Sequence, residues 1–201
     1  DNDIFKNFEY IPDHLEDKIW NYAYLNSGLT LKFNNKKYLS KNGLLDLLEK
    51  HTDLEKTKYS IVHLKKGDVE IAFTHGTHYG EEYYSFVNGQ HTTQGGTHLT
   101  AFKESIVRSV REFYKKDFDP LDIRSSIIAA ISVKIQEPVF ESQTKTKLGS
   151  TDMSPNGETI RSKFIELFKT EFDNYLHKNK EMADSLLQRI LQSEKERKDM
   201  A

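Results

Sequence analysis

The chain has 201 residues, of which 36% are hydrophobic, 30% charged and 11% aromatic, and its formal net charge is -2. This composition suits a globular domain with a sizeable core, and the near balance of charges argues against nucleic-acid binding through a global basic field. The absence of cysteine excludes disulfides and thiolate metal sites, and no apolar run approaches the roughly 20 residues of a membrane span. We expect a cytoplasmic protein and, because the chain does not begin with methionine, a piece of a longer one.

The predicted elements follow the periodicity of the apolar residues. The first half of the chain is predicted to contain a helix over 13–26, a strand over 29–33, a turn at NNKK, a short helix over 43–51, and strands over 59–64, 68–74 and 82–88. A longer helix is predicted from about His98 to Tyr114. The run SIIAAISVKI, residues 126–135, is rich in β-branched side chains and is typical of a buried central strand.

The last third of the chain is predicted to be largely helical. Helical spacing resumes at about Glu158, is interrupted by HKNKE near residue 177, and then begins again. The last helix has apolar residues only as far as Leu191, so we expect it to project from the domain from about residue 183. The whole pattern predicts an α+β fold with a mixed sheet backed by helices and a C-terminal helix.

The stretch FVNGQHTTQGGTHLTAF, which begins at Phe86, contains a glycine pair. Gly95 and Gly96 permit a turn that larger residues would hinder, and Thr97 is placed to cap the helix that follows. Such a loop either cradles a phosphate at a helix N-terminus or is a tight strand-to-helix turn. The stretch lacks the lysine and hydroxyl residue of a P-loop, which favours the tight turn.

Four histidines, His75, His78, His91 and His98, lie near one another in the sequence. His75 and His78 are separated by Gly76 at a strand end, so no helix aligns their rings, and no carboxylate cluster completes a ligand set. We therefore predict that these histidines bind no metal and lie in solvated loops.

The stretch FESQTKTKLGS, residues 140–150, places two lysines directly after an apolar strand. Lys145 and Lys147 would share one face of an extended chain. A lysine provides a compact charge on a long stem and Gln143 provides N–H donors, so together they could reach a phosphate group. A solvent-facing loop tip is the alternative, and the residues alone leave both open.

The stretches FVNGQHTTQGGTHLTAF and ISVKIQEPVFESQTKTKLGS resemble the B subunits of bacterial type IIA DNA topoisomerases, gyrase and topoisomerase IV. YLNSGL at residues 24–29 is similar to the end of that family's ATPase domain. The resemblance implies a transducer domain with a ribosomal-protein-S5-domain-2-like fold and a left-handed β-α-β crossover. It implies three parts: the end of the ATPase domain at 1–40, the transducer domain at 41–178, and a helical extension toward the DNA-cleavage core at 179–201.

The resemblance also implies site residues and partners. Gln143 and Lys145 would contact the γ-phosphate of ATP, with Lys145 as the catalytic residue, whereas Lys147 receives no such contact. The motifs of the family's ATPase core do not occur in this sequence, so Mg²⁺ would be bound mainly by other domains and the fragment alone would be inactive. The implied partners are DNA, a topoisomerase A-type subunit and, on ATP binding, a second B subunit. The implied function is to couple ATP binding and hydrolysis to DNA strand passage.

One stretch departs from the family pattern. In DIRSSIIAA, Asp122 and Arg124 match, but Ser125 and Ser126 replace a glutamate and a glycine. Gyrase and topoisomerase IV both stay open, with topoisomerase IV favoured. The alternative function is a non-catalytic interaction module of the same fold from a mismatch-repair or chaperone ATPase, against which QTKTKL argues. The charge balance argues against a nucleic-acid module without ATP.

Overall fold

The computed structural model describes residues 12–141 and 143–201. Its α-helices are α1 (Pro12–Leu25), α2 (Leu44–His51), α3 (Thr97–Tyr114), α4 (Pro120–Arg124), α5 (Ile160–Leu167), α6 (Asp173–Lys178) and α7 (Lys180–Asp199). Its strands are β1 (Thr30–Phe33), β2 (Lys36–Leu39), β3 (Val62–Lys66), β4 (Val69–His75), β5 (Glu82–Val87), β6 (Gln90–His91) and β7 (Ile127–Val133). The sequence did not predict α4, β2 or β6, which are short. None of the described helices combines the length and apolar character that crossing a membrane requires.

The main sheet has five strands in the order β3-β4-β7-β5-β6. The strand β7 lies at its centre, antiparallel to β4 and parallel to β5. Six of its seven residues are buried, which explains why apolar side chains occur at almost every position rather than at alternate ones. The predicted central strand and the predicted α+β fold with a mixed sheet backed by helices are therefore confirmed.

The larger core lies between one face of this sheet and helices α3, α5, α6 and α7. Four phenylalanines from β4, α3 and the segment after α5 form its centre. Phe73, Phe102, Phe168 and Phe172 have paired ring centroids 5.3 to 6.2 Å apart, mostly edge to face. This arrangement stabilises aromatic pairs beyond the area that they bury.

The segment Phe168–Phe172, between α5 and α6, is a π-helix, whereas the sequence predicted an ordinary helix. Buried residues recur here every four positions, at Phe164, Phe168, Phe172 and Leu176. With about 3.6 residues per turn, each such step in an α-helix rotates the side chain by about 40°, so the row would drift off the sheet. The wider π turn offsets this rotation and keeps the row on the core.

The opposite face of the sheet packs against α1 and α2. Tyr24 of α1 joins the buried leucines of α2 and the sheet in a second core, whose α2 members are Leu44, Leu47 and Leu48. Trp20 stacks on Tyr24 with centroids 5.5 Å apart and meets the ring of Tyr38 edge-on at 5.1 Å. Residues 12–39 thus pack on the rest of the described chain, while the domain boundary at 40/41 stays a prediction.

The expectation of solvated histidines is wrong for His75 and His98, which are fully buried. His75 ends β4, its Nε2 donates to the carbonyl of Ile123 at 2.8 Å, and its Nδ1 accepts from the Tyr59 hydroxyl. Burial lowers the pKa of both histidines to about 4. The described part of the chain contains no group of three metal-ligating side chains, and the absence of a metal stays a prediction.

The prediction that the last helix projects from the domain is wrong as far as Arg197. Beyond the apolar stripe of α7, Ser193 is buried and donates to the Asp122 carboxylate of α4 at 3.1 Å. Arg197 pairs with the same carboxylate through two nitrogens at 2.9 to 3.2 Å. These contacts are polar and distant in sequence, so the end of an apolar stripe did not reveal them.

The two serines that replace glutamate and glycine have a structural role. Ser126 adopts a left-handed backbone with φ 67°, which a glycine would adopt without strain. The buried Arg189 of α7 donates from Nε to the Ser126 hydroxyl at 2.9 Å and from a terminal nitrogen to the Ser125 hydroxyl at 3.2 Å. The serines therefore accept hydrogen bonds from a guanidinium that few other groups could satisfy.

The stability of the chain should fall in acid partly through His75. Its folded pKa of about 4 lies below its unfolded value, so its neutral form stabilises the fold above about pH 6.5, and this contribution is lost as the pH falls toward 4. The loss amounts to at most about 3 kcal/mol. Urea unfolding from pH 7 to 4.5 should show a shallower decline for His75→Gln than for the unsubstituted chain. Equal slopes would contradict the prediction.

Replacing Ser126 should have opposite effects in two backgrounds. With Arg189 present, Ser126→Gly removes an acceptor from a buried cation, which costs more than the relief of left-handed strain, and we expect a net loss of about 1 kcal/mol. With Arg189→Met, only the strain relief remains, and Ser126→Gly should stabilise by about 1 kcal/mol. A double-mutant cycle measured by urea unfolding tests this, and the same sign in both backgrounds would contradict it.

Candidate functional site

We call residues 139–150 the QTK loop. Among its described residues, 139–141 and 146–150 form the two arms of a hairpin. The N–H groups of Gly149 and Ser150 donate to the carbonyl of Val139 at 2.8 and 3.1 Å, and the N–H of Glu141 donates to the carbonyl of Lys147 at 2.9 Å. Residues 140 and 148 form an antiparallel bridge. Phe140 packs on the main core, and Leu148 is fully buried.

The tip of the QTK loop presents Gln143 and Lys145 to solvent. Lys145 has a left-handed backbone with φ 57°, and within the described residues it forms no ion pair. Lys147 instead pairs with Glu141 across the base of the hairpin at 2.9 Å. The two lysines are thus not equivalent, because the turn at Lys145 breaks the extended path on which they would share a face.

The QTK loop lies against the glycine turn that precedes α3. The N–H of Gln94 donates to the carbonyl of Thr146 at 2.9 Å, and the N–H of Leu148 donates to the carbonyl of Gly95 at 3.0 Å. The N–H of Thr97 then donates to the carbonyl of Leu148 at 3.2 Å. The arm 146–150 and the glycine turn therefore form a short parallel ladder, with residues 96 and 148 paired.

Gly96 makes this ladder sterically possible. Its φ is 132°, and a Cβ at this position would lie 2.4 to 2.8 Å from the backbone O, N and Cα of Leu148. No flexible side-chain end is available to move aside, since the three atoms are all main chain. Only glycine can occupy position 96, where the glycine turn contacts the loop.

The structure supports the tight-turn interpretation of the glycine pair. Gly96, not Thr97, is the N-cap residue of α3, and no side chain caps the helix. The predicted capping role of Thr97 is therefore wrong. The N–H of Thr97 is occupied by Leu148, and its hydroxyl donates to the carbonyl of Ser150. The start of α3 thus binds the chain itself.

A buried polar network holds the glycine turn from behind. Thr92 exchanges hydrogen bonds with Ser85 of β5, and its hydroxyl lies 3.0 Å from Nε2 of His98. The hydroxyl of Thr92 donates to the carbonyl of Ser85, so Nε2 of His98 is the donor in its own contact. The low pKa of His98, caused by burial, is consistent with this neutral tautomer.

A cleft of about 840 Å³ opens beside the QTK loop, between the starts of α3 and α5. Leu99, Leu148 and Ile160 are among its apolar residues, and Lys147 and Arg161 are among its charged ones. The side chains at the tip of the loop do not line it. The exposed Gln143 and Lys145 are therefore not part of this concave surface.

The structure brings together the glycine turn and the QTK loop, two stretches that the sequence analysis identified separately. It does not unite the predicted Gln143 and Lys145 with any acid or base in the described residues. It adds Gln94 and Thr146, whose side chains are also hydrogen-bonded to each other at 3.2 Å. No local pattern marks that pair, because the contact spans 52 positions and depends on the sheet topology.

Gly96→Ala should destabilise the chain by about 2–4 kcal/mol, since the new methyl group strains the backbone and pushes Leu148 away. Gly89→Ala is the matched control, because Gly89 also has a positive φ, 83°, but no atom within 4 Å of its Cβ position. The control should cost only about 1–2 kcal/mol. Thermal and urea unfolding measure both, and equal losses would show that the contact with Leu148 is unimportant.

Comparison with known proteins agrees with this geometry. The family model for DNA gyrase B matches residues 31–201. The B subunit of DNA topoisomerase 4 from Borreliella burgdorferi is 39% identical, over 100% of this chain and 32% of its own length. The B subunit of DNA gyrase from Thermotoga maritima is 31% identical, over 96% of this chain and 34% of its own length. The chain thus spans about a third of the length of these curated relatives.

Solved structures share the fold. The 43K ATPase domain of Thermus thermophilus gyrase B, in complex with an aminocoumarin, superposes with a TM-score of 0.79 at 24% identity over 100% of this chain and 57% of its own. The topoisomerase IV ATP-binding domain of Francisella tularensis, in complex with a small-molecule inhibitor, superposes with a TM-score of 0.72 at 22% identity over 98% of this chain and 57% of its own. With the family model matching most of its length, the chain belongs to the DNA gyrase B family.

Proposed function

We propose that this chain is the transducer part of the B subunit of an ATP-dependent type II DNA topoisomerase, and that it couples ATP binding and hydrolysis to DNA strand passage. The observation that carries the proposal is the QTK loop: an exposed lysine and glutamine at the tip of a hairpin whose base is fixed to the body. A cation held out in this way, with no ion pair in the described residues, suits a ligand bound by another domain. The name of the Borreliella relative and its 39% identity favour topoisomerase IV over gyrase.

The residues present fit a phosphate group but not a metal. The ammonium of Lys145 and the amide of Gln143 are donors of the kind that phosphate oxygens accept. Within the described residues no cluster of three metal-ligating side chains occurs, so Mg²⁺ would be held by other domains. ATP, when bound by the ATPase domain, supplies the phosphoryl group whose transfer to water drives the cycle.

The role of the loop follows from its charge and anchoring. Lys145 stabilises the negative charge that develops on the phosphoryl oxygens, and Gln143 orients the same group through its N–H donors. Because the base of the hairpin is fixed, contact at the tip holds the two domains together. When that contact is lost the loop is released, and the domains are free to rotate relative to each other.

The proposed partners and location come from the family. We propose that the complete subunit acts with a topoisomerase A-type subunit and DNA, forms a homodimer of B subunits on ATP binding, and works in the cytoplasm. The near-neutral charge of this part of the protein, -2 overall, supports a proposal in which other parts of the assembly supply most of the DNA affinity.

Lys145→Ala in the complete subunit should lower ATP turnover by about 10²-fold or more, because the charge acts mainly in the transition state, while nucleotide binding changes little. Lys147→Ala is the matched control. It removes the same charge two residues away, but from a side chain that pairs with Glu141. Its turnover should fall far less.

Steady-state ATPase kinetics on both variants, with circular dichroism to verify folding, measure this difference. Equal losses in the two variants would mean that the nucleotide contact is wrongly assigned. An undiminished turnover in Lys145→Ala would refute the proposed role of the loop.

A further inference from the structure

The two arms of the QTK loop are anchored differently. In the described residues, the backbone of the first arm, 139–141, is hydrogen-bonded to the second arm, 146–150. The second arm alone is bonded to the body at the start of α3, through residues 94–97. The position of the loop tip relative to the rest of the domain therefore depends on the hydrogen-bonded ladder between residues 94–97 and the second arm.

From this arrangement, which rests on the proposed function, we infer that Gln94 and Thr97 are positioning residues for Lys145. Both lie at or just before the start of α3, outside the QTK loop. Thr97 holds the far end of the arm through its N–H to Leu148 and its hydroxyl to Ser150. Gln94 holds the near end through its N–H and its side-chain oxygen, both bonded to Thr146.

The bonded positions 146, 148 and 150 alternate along the arm, so together they define its register. A slip by one residue would move the tip by about 3.3 Å along the arm, which is the rise of an extended chain. This displacement is about as large as the donor–acceptor distance of a hydrogen bond. A misplacement of about 1 Å can already cost on the order of 10²-fold in rate, so the register fixes whether Lys145 can reach a phosphate.

The start of α3 is suited to this task because it is itself held in place by the core. His98, the next residue, is fully buried, and Thr92 ties the turn to β5. Further along α3, Glu104 forms a bidentate pair with Arg161 of α5 at 2.6 to 3.0 Å. A loop attached to this point takes its position from the core rather than from the solvent-exposed tip.

The test compares Thr97→Val, which removes the hydroxyl at nearly constant volume, with Thr97→Ser, which keeps it. In the complete subunit we expect Thr97→Val to lower kcat for ATP hydrolysis about 10-fold while KM changes by less than about twofold, and Thr97→Ser to restore turnover to within about twofold. Lys145→Ala and the double variant Thr97→Val/Lys145→Ala are measured alongside. If Thr97 acts through Lys145, the double variant turns over no more slowly than Lys145→Ala alone.

The outcomes separate this inference from the proposed function. If Lys145→Ala lowers turnover but Thr97→Val does not, the positioning role is overturned and the proposed function stands. If the losses multiply in the double variant, Thr97 acts independently of Lys145 and the inference also fails. If Lys145→Ala has no effect, the proposed function itself fails. Should Thr97→Val not fold, Gln94→Ala, at an exposed position, takes its place with an expected loss of about threefold in kcat, and unchanged kcat overturns the inference.

Discussion

Close contact between Gly96 and Leu148 is the constraint around which the candidate site is built. Two main chains can approach this closely only where one residue has no Cβ, and the contact lets residues 94–97 and 146–150 hydrogen-bond as neighbouring strands. Without it, the QTK loop would be held only by the packing of Phe140 and Leu148, which fixes depth but not register. A non-directional apolar contact cannot place a charged tip, whereas a hydrogen-bonded ladder can.

The sheet explains why these two stretches meet. The glycine turn follows β6, which pairs antiparallel with β5, and the QTK loop follows β7, which is the parallel neighbour of β5. Asn88 joins the two exits directly, since its N–H donates to the carbonyl of Val133 and its side chain exchanges two hydrogen bonds with the main chain of Ile135. The one parallel pair in an otherwise antiparallel sheet thus brings the segments that follow β5 and β7 side by side.

The sequence predicted the elements better than their contacts. The turn at NNKK is confirmed by Asn34 and Asn35, both left-handed as in a tight hairpin, and the central strand was evident from its unbroken apolar run. What failed depends on partners that are distant in the chain. His75 has a polar side chain but is buried. The end of α7 is held against α4 by polar contacts rather than by apolar packing. The sequence did not predict the π-helix at Phe168–Phe172, because the apolar spacing is compatible with an α-helix over any single turn.

The two ends of β7 carry different attachments, and this bears on how a signal from the loop would travel. Its carboxyl end leads to the QTK loop, and its amino end follows Ser125 and Ser126, which accept hydrogen bonds from Arg189 of α7. A strand buried on both faces and bonded on both edges cannot bend or slide alone without breaking the sheet. Displacement of the loop would therefore shift α3 or the sheet as a unit. Arg189 links α7 to Ser126, directly before β7, whereas Arg197 links α7 to Asp122 of α4. The departure of this chain from the family pattern lies at that joint, where Ser126 adopts a left-handed backbone that a glycine would adopt without strain.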